Sequence, residues 1–93
     1  MFDVILSNKA KKDLKSLYKI EKKVAERVNV ALSDIGYNPL PFKKHDMDKV
    51  ESEKDTFRLR ISSYRVVYKI FWKDKLIRVI KIEKKGDETY KIR

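Results

Sequence analysis

The sequence predicts an α+β domain built from an N-terminal strand, a helical hairpin and an antiparallel sheet. Two patterns carry that prediction. Val24, Val28, Ala31, Leu32 and Ile35 recur at i, i+4, i+7, i+8 and i+11, which places them in one apolar stripe along a helix. In the stretch from Phe57 to Ile70, FRLRISSYRVVYKI, Arg58, Arg60 and Arg65 alternate with Phe57, Leu59, Ile61, Tyr64 and Val66. That period of two marks strands with one face on a core and the other face open.

Taken in order, Phe2 to Leu6 is short and apolar enough for a strand. Ser7 or Asn8 caps a first helix, since a short side-chain oxygen accepts a free backbone N–H at a helix start. This helix runs to about Tyr18 with Leu14, Leu17 and Tyr18 on one face, and the second runs from about Ile20 to Ile35. Gly36 is expected to stop the second helix, and Asn38-Pro39 to prevent its continuation. The lysines of both helices read as a solvated face.

From Pro39 to Thr56 the chain is polar, holds both prolines and shows no period, so a long loop is expected there. Strands follow over Phe57–Ile61, Tyr64–Trp72 and Leu76–Ile82, with tight turns at Ser62-Ser63 and at Lys73–Lys75. This register sets Arg60 opposite Arg65, Val66 opposite Ile82, Tyr68 opposite Ile80, and Val67 opposite Lys81. Phe57, Leu59, Ile61, Tyr64, Val66, Tyr68, Ile80 and Ile82 then face the core. Arg58, Arg60, Arg65, Lys69, Lys81 and Lys85 face the open side.

With 93 residues, the chain is expected to form a single domain over residues 1–93. It is 42% hydrophobic and 41% charged, which suits a folded core under a heavily charged surface. No apolar run approaches the roughly 18 residues of a membrane helix, and the N-terminus has no signal-peptide pattern. A soluble, cytoplasmic protein is expected. With no cysteine, neither a disulfide nor a thiolate metal site can form.

The net charge of +10 is one-sided. Residues 57–93 carry 12 Lys and Arg against 4 Asp and Glu, whereas residues 1–56 carry 12 against 10. A concentrated positive field suits a polyanion such as nucleic acid, or an acidic protein segment.

Common catalytic constellations are missing. His45, the only histidine, sits in the polar stretch between Lys44 and Asp46 and reads as a surface residue. There is no glycine-rich phosphate loop and no spaced set of metal ligands, so neither a metal nor a cofactor is implied. Asp46, Asp48, Glu51 and Glu53 are interspersed with lysines and read as an acidic loop segment.

What remains is a cluster of cations on one sheet face. Like charges opposite one another destabilise a sheet, so Arg60 against Arg65 is tolerable if solvated and useful if an anion sits there. Arginine presents a planar fork of donors matched to phosphate and stays charged. Such a clamp can stabilise charge that builds during phosphoryl transfer. A lysine among cations gives up its proton more readily and can serve as a proton carrier. Tyr90 could stack on an unpaired base.

The order of these motifs resembles the RelE/ParE superfamily of toxins. The signature is a strand of the form (Y/F)-(K/R)-x-(K/R), a short turn, then YRhhY with apolar h. It is matched by Phe57-Arg58-Leu59-Arg60 and Tyr64-Arg65-Val66-Val67-Tyr68. The closing VIKIEKKGDETYK and the NPLP after the second helix also fit, so the resemblance covers essentially the whole chain.

The RelE branch implies an endoribonuclease that cleaves messenger RNA in the ribosomal A site without a metal. A ribose 2′-OH attacks the adjacent phosphate in line and the 5′-oxygen leaves. By position, the resemblance makes Arg58 and Arg60 the strand cations that hold the substrate, and Arg65 the phosphate-stabilising arginine. Lys85 stands where an arginine is usual, and Tyr90 where a tyrosine orients the substrate. Lys69, Lys81 and Lys84 extend the RNA-binding face.

Guanidinium is not deprotonated in proteins, so Arg58 and Arg60 cannot act as general bases. Lys85 supplies a group that can lose a proton. The resemblance also implies a partner, an acidic RelB-like antitoxin in a toxin–antitoxin hetero-oligomer. Two other functions fit the same residues: a ParE-like inhibitor of DNA gyrase, and a non-catalytic basic RNA-binding module.

Overall fold

The computed structural model describes residues 1–85 and shows an α+β fold. Its elements are β1 (Asp3–Leu6), α1 (Asn8–Ile20), α2 (Lys22–Tyr37), β2 (Asp46–Lys49), β3 (Thr56–Ile61), β4 (Tyr64–Phe71) and β5 (Leu76–Lys84). The five strands form one mixed sheet in the order β1-β5-β4-β3-β2. β1 starts at one edge, and the two helices carry the chain across a face of the sheet to β2 at the other edge. β3, β4 and β5 then meander back until β5 lies parallel to β1. Among the described residues, no helix is long and apolar enough to cross a membrane.

Both helices bury their apolar stripes against this sheet. Leu17 from α1 and Ala25, Val28, Ala31, Leu32 and Ile35 from α2 meet Leu59, Ile61, Val66, Tyr68, Ile70, Ile77 and Val79. Each fully buried aliphatic side chain contributes about 1.5–3 kcal/mol relative to an exposed one. The Ser7 hydroxyl caps α1 by accepting from the Ala10 N–H at 3.0 Å, and it donates to the Ile80 carbonyl at 2.6 Å. This side chain therefore fixes the start of α1 directly onto β5.

Four expectations need correction. The segment from Pro39 to Thr56 is not a continuous loop, because Asp46–Lys49 pairs with β3 as an edge strand. At four residues and with three charges, its alternation is too short to read. Gly36 does not stop α2, which continues to Tyr37. A Cβ there would lie 3.3 Å from Val4 Cγ2 and 3.4 Å from the Phe2 carbonyl. The Phe2 N–H also donates to the Gly36 carbonyl at 2.8 Å. Gly36 is thus a point of close approach between α2 and the chain entering β1.

The turn between β4 and β5 spans four residues, since Phe71 pairs with Leu76. Finally, Tyr68 lies opposite Val79 and not Ile80, because the ladder shifts between Val67 and Tyr68. Ile80 is the extra residue of a β-bulge, which rotates its side chain off the core face. The Ser7 hydroxyl bonds the carbonyl of this bulged residue.

Candidate nucleic-acid interface

The hairpin of β3 and β4 closes about Ser62 and Ser63, with Ile61 opposite Tyr64 and Arg60 opposite Arg65. Ser62 takes a φ of 55°, a left-handed turn conformation at the tip. Successive strand residues point to opposite faces, so Arg58, Arg60 and Arg65 all stand on the face away from the helices. The flanking strands add to this face from both sides. β2 sets Asp46 opposite Arg60 and Asp48 opposite Arg58, while β5 sets Glu83 opposite Arg65 and Lys81 opposite Val67.

These carboxylates relieve the repulsion between the arginines. Arg58 Nη2 donates to Asp48 Oδ2 at 3.1 Å, and Arg60 Nη1 donates to Asp46 Oδ1 at 3.3 Å. Arg60 Nη2 also lies 3.6 Å from Asp48 Oδ2, so Asp48 bridges the two arginines. Arg65 is the most enclosed of the three, with its side chain 9% exposed, and its Nη2 lies 3.0 Å from Glu83 Oε2. Lys81 Nζ reaches the other oxygen of Glu83 at 3.2 Å.

Arg58, Arg65, Lys81 and Lys84 line one concavity of about 500 Å³, with Val67 and Ile80 on its walls. Four cations face two carboxylates there, Glu53 and Glu83. The bulge places Ile80 in this hollow, where its apolar side chain lines the wall between the cations. The other predicted residues lie apart. Arg60 instead borders a neighbouring recess at the sheet edge, lined also by Lys23, Glu26, Arg27, Val30 and His45. Lys69 sits further along β4, its ammonium 5.4 Å from the centre of the Phe71 ring. Lys84 pairs with Tyr64 and also borders a recess beside α1. Lys85 is exposed one residue past β5, with its N–H donating to the Ser63 carbonyl at 2.6 Å. Tyr90 lies outside the described residues.

Sequence reasoning missed Asp48 and Glu83. The signal for Glu83 was present, since Val67 opposite Lys81 already implies Arg65 opposite Glu83. Asp46 and Asp48 had no such signal without β2. His45 has a structural role: its Nε2 sits 2.8 Å from Asp34 Oδ2, and Lys44 Nζ donates to Asp34 Oδ1 at 3.2 Å. The His45 hydrogen bond, helped by Lys44, holds the Asp34 carboxyl below its ordinary value, against an upward push from burial. Burial also pushes the Tyr68 hydroxyl well above its ordinary value, while that hydroxyl donates to the Pro39 carbonyl at 2.7 Å.

The architecture is that of small α+β toxins solved with their antitoxins. RelE in the RelE–RelB complex from Pyrococcus horikoshii OT3 superposes with a TM-score of 0.79 at 31% identity, covering 92% of this chain and 97% of that one. The intact Escherichia coli RelBE complex shares the fold at 20% identity, with a TM-score of 0.74 over 90% of this chain and 96% of that one. The protein named RelE1 from Methanocaldococcus jannaschii is 29% identical over 84 residues, 90% of each chain. The family model for the ParE toxin of type II toxin–antitoxin systems matches residues 4–88. The chain belongs to the RelE/ParE superfamily of type II toxin–antitoxin toxins.

Proposed function

We propose that this toxin is an endoribonuclease that cleaves messenger RNA in the ribosomal A site by attack of a ribose 2′-OH on the adjacent phosphate, without a metal. The observation that supports this most is the convergence of Arg58, Arg65, Lys81 and Lys84 on one concavity. An arginine fork held among other cations is matched to a phosphate and to the charge that grows on it during attack. In this reading Arg65 stabilises the phosphate, Arg58 and Arg60 hold the flanking backbone, and Lys69 continues the track along β4. Lys85 adds charge beyond the end of β5, and Tyr90 orients or stacks on the substrate, as the family resemblance implies.

The relatives solved with RelB support a second part of the proposal. An acidic RelB-like antitoxin holds this chain in a hetero-oligomer and masks the basic face, and opposite charges speed its association at low salt.

A ParE-like gyrase inhibitor is the second reading that one observation fits. Each strand arginine already holds a carboxylate of its own chain, which suits a binding surface as well as a clamp. Induction in cells separates the two readings. Cleavage predicts new messenger-RNA 5′ ends on ribosomes that disappear in an Arg65→Ala variant. Intact messages with altered DNA supercoiling would replace it with gyrase inhibition.

A further inference from the structure

The reaction proposed above needs a group to take the 2′-OH proton, and none of the three strand arginines can do so. Of the residues lining the concavity, Lys81 and Lys84 must first lose a proton before accepting one. The remaining acceptors are the two carboxylates. Glu53 is exposed in the turn between β2 and β3. Glu83 is 27% exposed and is fixed from two sides, by Arg65 at 3.0 Å on Oε2 and by Lys81 at 3.2 Å on Oε1.

We infer that Glu83 is the proton acceptor of the cleavage reaction, held in position by Arg65 and Lys81. This inference rests on the ribonuclease reading of the same site. A phosphate drawn to Arg65 brings its neighbouring ribose beside the carboxylate that Arg65 already touches. Each carboxylate oxygen can accept more than one hydrogen bond, so the 2′-OH can be received alongside the existing contacts. As the phosphate comes to share Arg65, that contact loosens and leaves Glu83 a better acceptor.

Glu83 takes the proton of the 2′-OH as the 2′-oxygen bonds to phosphorus. The bond from phosphorus to the 5′-oxygen breaks, leaving a 2′,3′-cyclic phosphate. The departing 5′-oxygen takes a proton from water, and the resulting hydroxide removes the proton from Glu83.

The groups around Glu83 set its environment. Arg65 faces it from β4 and Arg58 from β3, Lys81 lies two residues before it on β5, and Lys84 borders the same hollow. Glu53 lies across the hollow, and on the α1 side Asp13 binds both Lys9 at 3.0 Å and the Ile82 N–H at 3.0 Å. Cations are therefore the majority around this carboxylate.

The test is single-turnover cleavage of messenger RNA on purified ribosomes, measured across pH for wild type, Glu83→Gln and Glu83→Asp. The glutamine keeps an acceptor for Arg65 or Lys81 but cannot take the proton. The expected result is a rate loss of about 100-fold or more with disappearance of the acidic limb of the profile, and partial recovery in Glu83→Asp. A Glu83→Gln rate within a few fold of wild type, a faster rate, or a lower rate with an unchanged profile would overturn the assignment. If Glu83→Gln does not fold, the Glu83→Asp profile decides: a shifted acidic limb supports the assignment and an unshifted one overturns it. Absence of cleavage by the wild type would remove the ribonuclease reading and this inference together, and is distinguished by having no wild-type rate to compare.

Discussion

At the scale of single residues, the chain manages charge by local pairing. Arg60 and Arg65 stand opposite each other, yet each carries its own carboxylate at 3.3 Å and 3.0 Å. The opposition of the arginines was legible from the spacing about Ser62 and Ser63, whereas their partners depended on β2 and on the register of β5. The same local pairing sets a pH dependence at Asp34. Its carboxyl is held low chiefly by His45, so the folded state binds fewer protons there than the unfolded chain. Stability from this group is present above the ordinary aspartate range and is lost as pH falls through the lowered folded value. Thermal melts between neutral pH and about pH 3 should therefore show a shallower acid decline in Asp34→Asn than in wild type. An equal decline in both would remove this role for the pair.

At the scale of elements, two short features decide what the sheet presents. Gly36 lets α2 approach the chain entering β1, within 3.3 Å of Val4 for a Cβ placed there. For Gly36→Ala, the helix-propensity gain of about 1 kcal/mol and the crowding should nearly cancel. Gly36→Val should cost about 2 kcal/mol or more through overpacking. Chemical denaturation of both variants checks this, and a well-tolerated valine would contradict the close approach. The glycine was visible in the sequence and easily read as a helix stop, since spacing alone does not show which neighbour presses on it.

The edge strand β2 is the second feature, and its two aspartates neutralise Arg58 and Arg60. Asp48→Asn should free Arg58 for phosphate, leave Arg60 held by Asp46 alone, and lower the KM for ribosome-bound message several fold. The stability change should be about 1 kcal/mol or less, because the pairs are partly exposed. A KM unchanged or raised would show that Asp48 positions the arginines and does not compete with substrate.

At the scale of the whole molecule, the fold followed from two periodicities, 3.6 in the helices and 2 in the hairpin. The parts that stayed hidden are set by pairing and packing that spacing along the chain does not show. The bulge at Ile80 is tied to Ser7, 73 residues away in sequence, and it moves an apolar side chain into the basic hollow. β2 is recognisable as a strand through its pairing with the edge of β3. The cation cluster was largely readable, but its division was not. Arg58, Arg65, Lys81 and Lys84 share one concavity, while Arg60 opens into another.

Arg65 is the most enclosed cation of the shared concavity proposed to cleave RNA. The direct measurement is cleavage of a defined message on purified ribosomes by the free toxin and by Arg65→Ala, with thermal melts confirming that both are folded. The expected result is cuts within the A-site codon for wild type and a loss of about 100-fold or more for a folded Arg65→Ala, the size expected when a transition-state donor is removed. Equal cleavage by the two proteins, or an uncut message with active wild-type toxin, would contradict it.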